Sequence, residues 1–220
     1  MIDGGLLNEA WSGEKLFVTN EHVLSRDEPE GSRENIAAGR ITFTVGDQDS
    51  VYRVKDVLWQ SAREHHDVTI CRLDREPPEI TPFDRIIEQL NPLSNYSPRL
   101  AVTIMGHPRG QRLHFSRRNN DVMAHDGPDR DNLGRPERLH YKASTDKGNS
   151  GSPALEYDTL TPIGVHHSGR GSNYTYEAMA SGAYKTRPKA RPSDANEAIS
   201  LASIKRAIRK WPDGINRPRR

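Results

Sequence analysis

Gly148-Asn149-Ser150-Gly151-Ser152-Pro153 is the stretch on which the reading of this chain turns. It is a serine set among glycines and small polar residues, directly before an apolar run. A serine that acts as a nucleophile needs its hydroxyl exposed on a tight turn, with backbone N–H groups close by to hold the oxyanion formed in acyl transfer. Flanking glycines permit the backbone angles of such a turn and let a substrate carbonyl come close. A bare Gly-x-Ser-Gly is more often an ordinary loop, so its meaning depends on the rest of the chain.

Two other segments supply what it would need. Phe17-Val18-Thr19-Asn20-Glu21-His22-Val23-Leu24 is a β-type run that ends in a polar turn carrying a histidine. A neutral imidazole is a good general base for a serine hydroxyl near pH 7. His66-Asp67-Val68-Thr69-Ile70 places an aspartate at the head of an apolar strand. There it can accept a hydrogen bond from an imidazole and set its tautomer. Each segment alone has a blander reading: a surface histidine, a turn-forming aspartate.

In the order His22, Asp67, Ser150, the three resemble the blocks of the trypsin-like (chymotrypsin-fold) serine peptidases, in particular the compact bacterial type without disulfides. Thr19-Asn20-Glu21-His22-Val23 is similar to the family's Thr-Asn-x-His-Val block, and Asp67-Val68-Thr69-Ile70 to its Asp-Ile-Ala-Leu block. Met105-Gly106-His107-Pro108 resembles the Gly-Tyr-Pro turn ahead of the second barrel. Gly164-Val165-His166-His167-Ser168-Gly169 resembles the strand lining the specificity pocket, and Asn196-Glu197-Ala198-Ile199 the last strand before a C-terminal helix. Gly4-Gly5-Leu6-Leu7 is similar to an early Gly-x-Gly-Phe-Leu strand, ahead of which the family's usual first strand has no counterpart.

The resemblance implies an all-β fold of two Greek-key β-barrels with a C-terminal α-helix, in one peptidase domain over 1–220. The first barrel is expected over 1–97, the second over 98–201, the helix over 202–211 and a basic tail over 212–220. It implies a serine endopeptidase that works through an acyl-enzyme: Ser150 as nucleophile, His22 as base, Asp67 orienting His22. The backbone N–H groups of Gly148 and Ser150 would form the oxyanion hole. Ser144, Thr145, His166 and His167 would contact substrate, with an acidic or polar side chain expected before the cut. Asn149 stands where the cleavage-activated trypsins carry an aspartate, so no N-terminal processing is expected. A catalytically silent domain that binds peptides is the alternative reading.

The strand pattern agrees. Short alternating or apolar runs occur at 16–19, 40–45, 51–58, 67–73, 100–105, 113–115, 138–143, 153–156 and 162–166, and the 17 Gly and 15 Pro provide turns between them. Many short strands with turn signals suggest a barrel or sandwich. Ile204, Ala207 and Ile208 fall at helical spacing, and Pro212 and Gly214 stop that pattern. The polar stretches 117–136 and 169–193 read as long loops.

Composition narrows the classes. The formal net charge is only +2, so the chain as a whole is not built as a nucleic-acid binder, and the basic runs at 185–191 and 217–220 read as solvated tails. The single cysteine, Cys71, excludes an internal disulfide and fits a reducing, cytoplasmic setting; it reads as a small core residue. No stretch approaches the roughly 18 apolar residues of a membrane helix. No cofactor is expected, and no metal: His65-His66 and His166-His167 lack accompanying ligand spacing. The expected partners are a protein or peptide substrate and a regulatory partner or fused domain that restrains the enzyme.

Overall fold

The structure, a computed structural model, describes residues 1–25, 36, 39–63, 65–78, 80–88, 100–118, 120–126, 136–169 and 195–214. Among the described residues the chain is mostly strand, arranged as two antiparallel sheets and one helix, as the two-barrel expectation requires. The first sheet holds β1 (Ile2–Asp3), β2 (Lys15–Thr19), β3 (Arg40–Val45), β4 (Gln48–Ser61) and β5 (Val68–Leu73), in the order β1-β2-β5-β4-β3. The second holds β6 (Val102–Gly106), β7 (His114–Phe115), β8 (Val122–Asp126), β9 (Arg138–Tyr141), β10 (Pro153–Glu156), β11 (Pro162–Ser168) and β12 (Asn196–Ser200), in the order β7-β6-β10-β11-β12-β9-β8. Helix α1 (Leu201–Lys210) follows β12 without a break, capped by the Ser200 side chain on the Ser203 N–H.

Two local readings change. Gly4–Leu6 is a 3₁₀ turn rather than a strand, because the Asp3 carboxylate accepts from the Gly5 N–H at 2.8 Å and curls the chain; the strand lies just ahead of it, at Ile2–Asp3. The polar stretch 117–136 contains β8, whose backbone pairs antiparallel with β9 from Val122↔Tyr141 to Asp126↔Arg138. Ladder pairing with an interior strand outweighs the weak β signal of those residues. Most of the loop expected at 169–193 and both basic runs lie outside the described residues.

Of the two cores, one takes in the helix. One cluster joins Leu16, Trp59 and Ile70 of the first sheet to Val165 and Ile199 of the second and to Ile204 and Ile208 of α1. The Trp59 indole N–H also donates to the Trp211 carbonyl at 2.8 Å. The other cluster, around Val102, Ile104, Leu139, Tyr141 and Ile163, lies within the second sheet. Helix α1 therefore fastens the sheets together, and that junction positions the site. Cys71 is buried in β5, its thiol pushed up to about 12 by burial, so it is a core residue and no thiolate nucleophile. No helix among the described residues is long and apolar enough to cross a membrane.

Candidate active site

Asp67 sits in the turn that enters β5, and its backbone is in the left-handed region at φ 49°. Aspartate tolerates that region better than most side chains. Two hydrogen bonds hold the backbone there: its N–H donates to the Ala62 carbonyl at 3.1 Å, and its carbonyl accepts from the Asn20 amide at 2.9 Å. The carboxylate is fully buried. It grips His22 twice, accepting from the His22 backbone N–H at 2.9 Å and from ring Nδ1 at 2.6 Å. This fixes the ring and leaves Nε2 as the nitrogen able to accept a proton. Burial alone would raise the Asp67 pKa, but hydrogen bonds from His167 and His22 outweigh it and hold the group at about 2.

Ser150 comes from the turn between β9 and β10. Gly148 has φ 93° and Gly151 φ 83°, conformations that glycine alone adopts without strain. The turn is pressed against the end of β2: a Cβ on Gly151 would lie 2.3 Å from Thr19 Oγ1 and 3.4 Å from the Asn20 nitrogen. It is also stitched to β11, with Gly151 N–H donating to the His166 carbonyl at 2.9 Å and His166 N–H to the Ser152 carbonyl at 2.8 Å. Thus the Ser150 turn abuts the segment that leads to His22. Among the described residues no hydrogen bond joins the Ser150 hydroxyl to His22, a contact that in substrate-free sites often forms only on binding.

The N–H groups of the turn divide in two. Those of Asn149, Gly151 and Ser152 bond to the carbonyls of Asp146, His166 and Asn149. Those of Gly148 and Ser150 take no backbone acceptor among the described residues. Two unpaired donors flanking one hydroxyl are what an oxyanion would fill. A cavity of about 420 Å³ opens beside them, lined by Ser150, Phe17, Leu24, Ile41, Met105 and Leu113 among others.

The residues expected to touch substrate divide. Ser144 is exposed and Thr145 half-buried. His166 is buried, with Nδ1 2.6 Å from the Tyr141 hydroxyl. His167 is buried as well, and both its ring nitrogens are occupied: Nδ1 lies 2.5 Å from Asp67 Oδ2 and Nε2 3.3 Å from Glu197 Oε1. That geometry points His167 at Asp67 rather than at a substrate. Glu197 in turn bonds His140 Nε2 at 2.8 Å and faces Arg138 Nε at 3.6 Å. Nothing in the spacing of 138, 140, 167 and 197 announced this network. It exists because β9 and β12 pair with Glu197 opposite His140, and because β11 bulges between His166 and Ser168 and re-aims the intervening residue.

Ligand atoms of His22, Asp67 and His167 lie within 4.8 Å of one another, close enough to face a common metal ion. Two ligands on one tetrahedral zinc stand roughly 3.3 Å apart at the usual bond lengths. The Asp67 oxygen is 2.6 Å from one imidazole nitrogen and 2.5 Å from the other. Those are proton-bridged distances, and they do not fit a shared ion.

Comparison with known proteins agrees with this architecture. The trypsin-like peptidase domain matches residues 6–165. Among solved structures, the HtrA-type protease AlgW with tripeptide is 12% identical with a TM-score of 0.57, covering 91% of this chain and 53% of that one. The serine endoprotease from Yersinia pestis is 15% identical with a TM-score of 0.53, covering 91% and 55%. The chain thus spans about half the length of these two proteins. No curated protein matches the sequence. With a family match over most of its length, and sheets that superimpose on those of a known protease, the chain belongs to the trypsin-like peptidase family and has the two-barrel fold of a serine endopeptidase.

Proposed function

We propose that this chain hydrolyses peptide bonds through an acyl-enzyme, with Ser150 as nucleophile, His22 as general base and Asp67 orienting His22. The observation that carries the reading is the double hold of buried Asp67 on His22, at 2.9 and 2.6 Å, beside the turn that carries Ser150 and leaves the Gly148 and Ser150 N–H groups without a backbone acceptor among the described residues. Ser150 Oγ attacks the scissile carbonyl carbon and its proton passes to His22 Nε2. The carbonyl oxygen becomes an oxyanion held by the Gly148 and Ser150 N–H groups. As the C–N bond breaks, His22 gives its proton to the leaving amine, and an ester remains on Ser150. Water then attacks the ester, His22 again taking and returning the proton, to release the new carboxylate and restore the serine. Asp67, kept ionised, stabilises the imidazolium at each transfer.

On the substrate side, exposed Ser144 and half-buried Thr145, both small and polar, favour an acidic or polar side chain before the cut. The apolar lining of the neighbouring cavity suits a second, apolar side chain of the same peptide. A cytoplasmic setting, with a partner or fused domain that restrains the enzyme, remains part of this reading; the single, buried cysteine is in keeping with a reducing compartment.

The test is labelling by a fluorophosphonate probe, with the modified residue mapped by mass spectrometry, alongside incubation with a proteome and mapping of new termini. Labelling at Ser150, and termini that vanish with Ser150→Ala, are expected. An unlabelled Ser150 in folded protein would leave the alternative, a peptide-binding domain without turnover.

A further inference from the structure

Asp67 has a second imidazole. His167 reaches the carboxylate from the other sheet, and its Nδ1 shares oxygen Oδ2 with His22 Nδ1, at 2.5 and 2.6 Å. Its far nitrogen faces Glu197 Oε1 at 3.3 Å. A neutral imidazole has one N–H and one lone pair, and a lone pair turned toward a carboxylate is repelled. A ring with a carboxylate oxygen at each nitrogen is therefore an imidazolium. The charged groups around it come from every element packed there: Asp67 and His22 from the first sheet, Glu197 from β12, and Arg138 and His140 from β9 behind Glu197. Burial alone would lower the His167 pKa, but hydrogen bonds to Asp67 and Glu197, with their charges, carry it to about 9.

We propose that His167 is a positioning residue for the His22–Asp67 pair: its imidazolium ties Asp67 of the first sheet to Glu197 of the second and takes up part of the Asp67 charge beside His22. The inference rests on the His22 and Ser150 roles given above. It differs from a plain ion-pair clamp in one respect. A clamp acts through position alone, whereas a cation 6.2 Å from the His22 ring, centroid to centroid, also acts on the charge that ring takes up in turnover.

The experiment is the pH dependence of Ser150 labelling by the fluorophosphonate probe, in the unaltered chain and in His167→Asn, which keeps one donor toward Asp67 but carries no charge. The acid limb of the rate is expected to move up by about one to two pH units in the variant. Labelling of both proteins with limbs that coincide would overturn the inference while leaving the nucleophile assignment intact. Absence of Ser150 labelling in the unaltered chain would instead sink the proposed function. Should His167→Asn not fold, ¹⁵N spectra of histidine-labelled unaltered protein decide the matter: one buried ring is expected to stay doubly protonated through pH 7–8, and His167 found neutral at pH 7 would refute it.

Discussion

At the scale of single residues, the site depends on a carboxylate that carries several bonds at once. Asp67 is fully buried, takes a left-handed backbone conformation, and accepts from His22 twice and from His167 once. Asp67→Asn preserves the shape but replaces one accepting oxygen by an NH₂ group, which meets a donor. Its kcat should fall about 10⁴-fold, as when a triad aspartate becomes an amide elsewhere. Its stability should fall as well, because buried imidazolium His167 loses its partner; kinetics and thermal melts on the same preparation check both. The importance of Asp67 was legible in the sequence as an aspartate at the head of an apolar strand. Its second imidazole was not. Contact between residues 67 and 167 depends on the placement of two sheets, and adjacent histidines on a strand look alike until a bulge sends them to different neighbours.

Elements show the same division. Period-two alternation marked β3 and β5, and Pro153–Glu156 is both the apolar run of the sequence and the strand β10. β1 has only two residues, at the edge of a stretch read as a strand further on, and β8 lies in a polar stretch, so both escaped. The turn around Ser150 shows why its glycines are needed. Gly151→Ala would add a methyl 2.3 Å from Thr19 Oγ1 at a positive φ, so we expect a loss of about 1–3 kcal/mol in denaturant unfolding and loss of turnover as the turn lifts off β2. Helix α1 was legible from the spacing of Ile204, Ala207 and Ile208, and these residues are buried against both sheets. Ile204→Ala should cost about 2–5 kcal/mol, measurable by the same unfolding experiment, because it opens a cavity at the junction of the two sheets.

For the whole molecule, two buried histidines set the pH range of stability from opposite sides. Hydrogen bonds to Asp67 and Glu197 overcome burial and carry His167 to about 9, so between pH about 6.5 and 9 the folded chain holds a proton that the unfolded chain releases. That contribution is complete below pH 6.5 and is lost as pH rises through 9. His66 behaves in the opposite way. Burial, with nearby His65, Arg138 and Arg206, holds it down to about 3, so the unfolded chain binds the extra proton and stability declines as pH falls from about 6.5 toward 3. The melting temperature should therefore peak near pH 6–7. Flattening of the alkaline side in His167→Asn, or of the acid side in His66→Gln, would assign each limb, and an unchanged profile in both variants would refute the account.

The sequence by itself determined most of the elements and the chemical types at the site: short strands, one terminal helix, a serine between glycines, a histidine after one strand and an aspartate before another. These are local facts, written in the spacing of neighbouring residues and in which of them turns tolerate. Only the tertiary structure decided that Gly151 rests on Thr19, that the N–H groups of Gly148 and Ser150 take no backbone acceptor among the described residues, and that Asp67, His167 and Glu197 form one charged chain across two sheets. Such contacts join positions a hundred residues apart, and their strength comes from exclusion of water. Burial, which turns a carboxylate and an imidazole into a fixed ion pair, is a property of packing that no single segment carries.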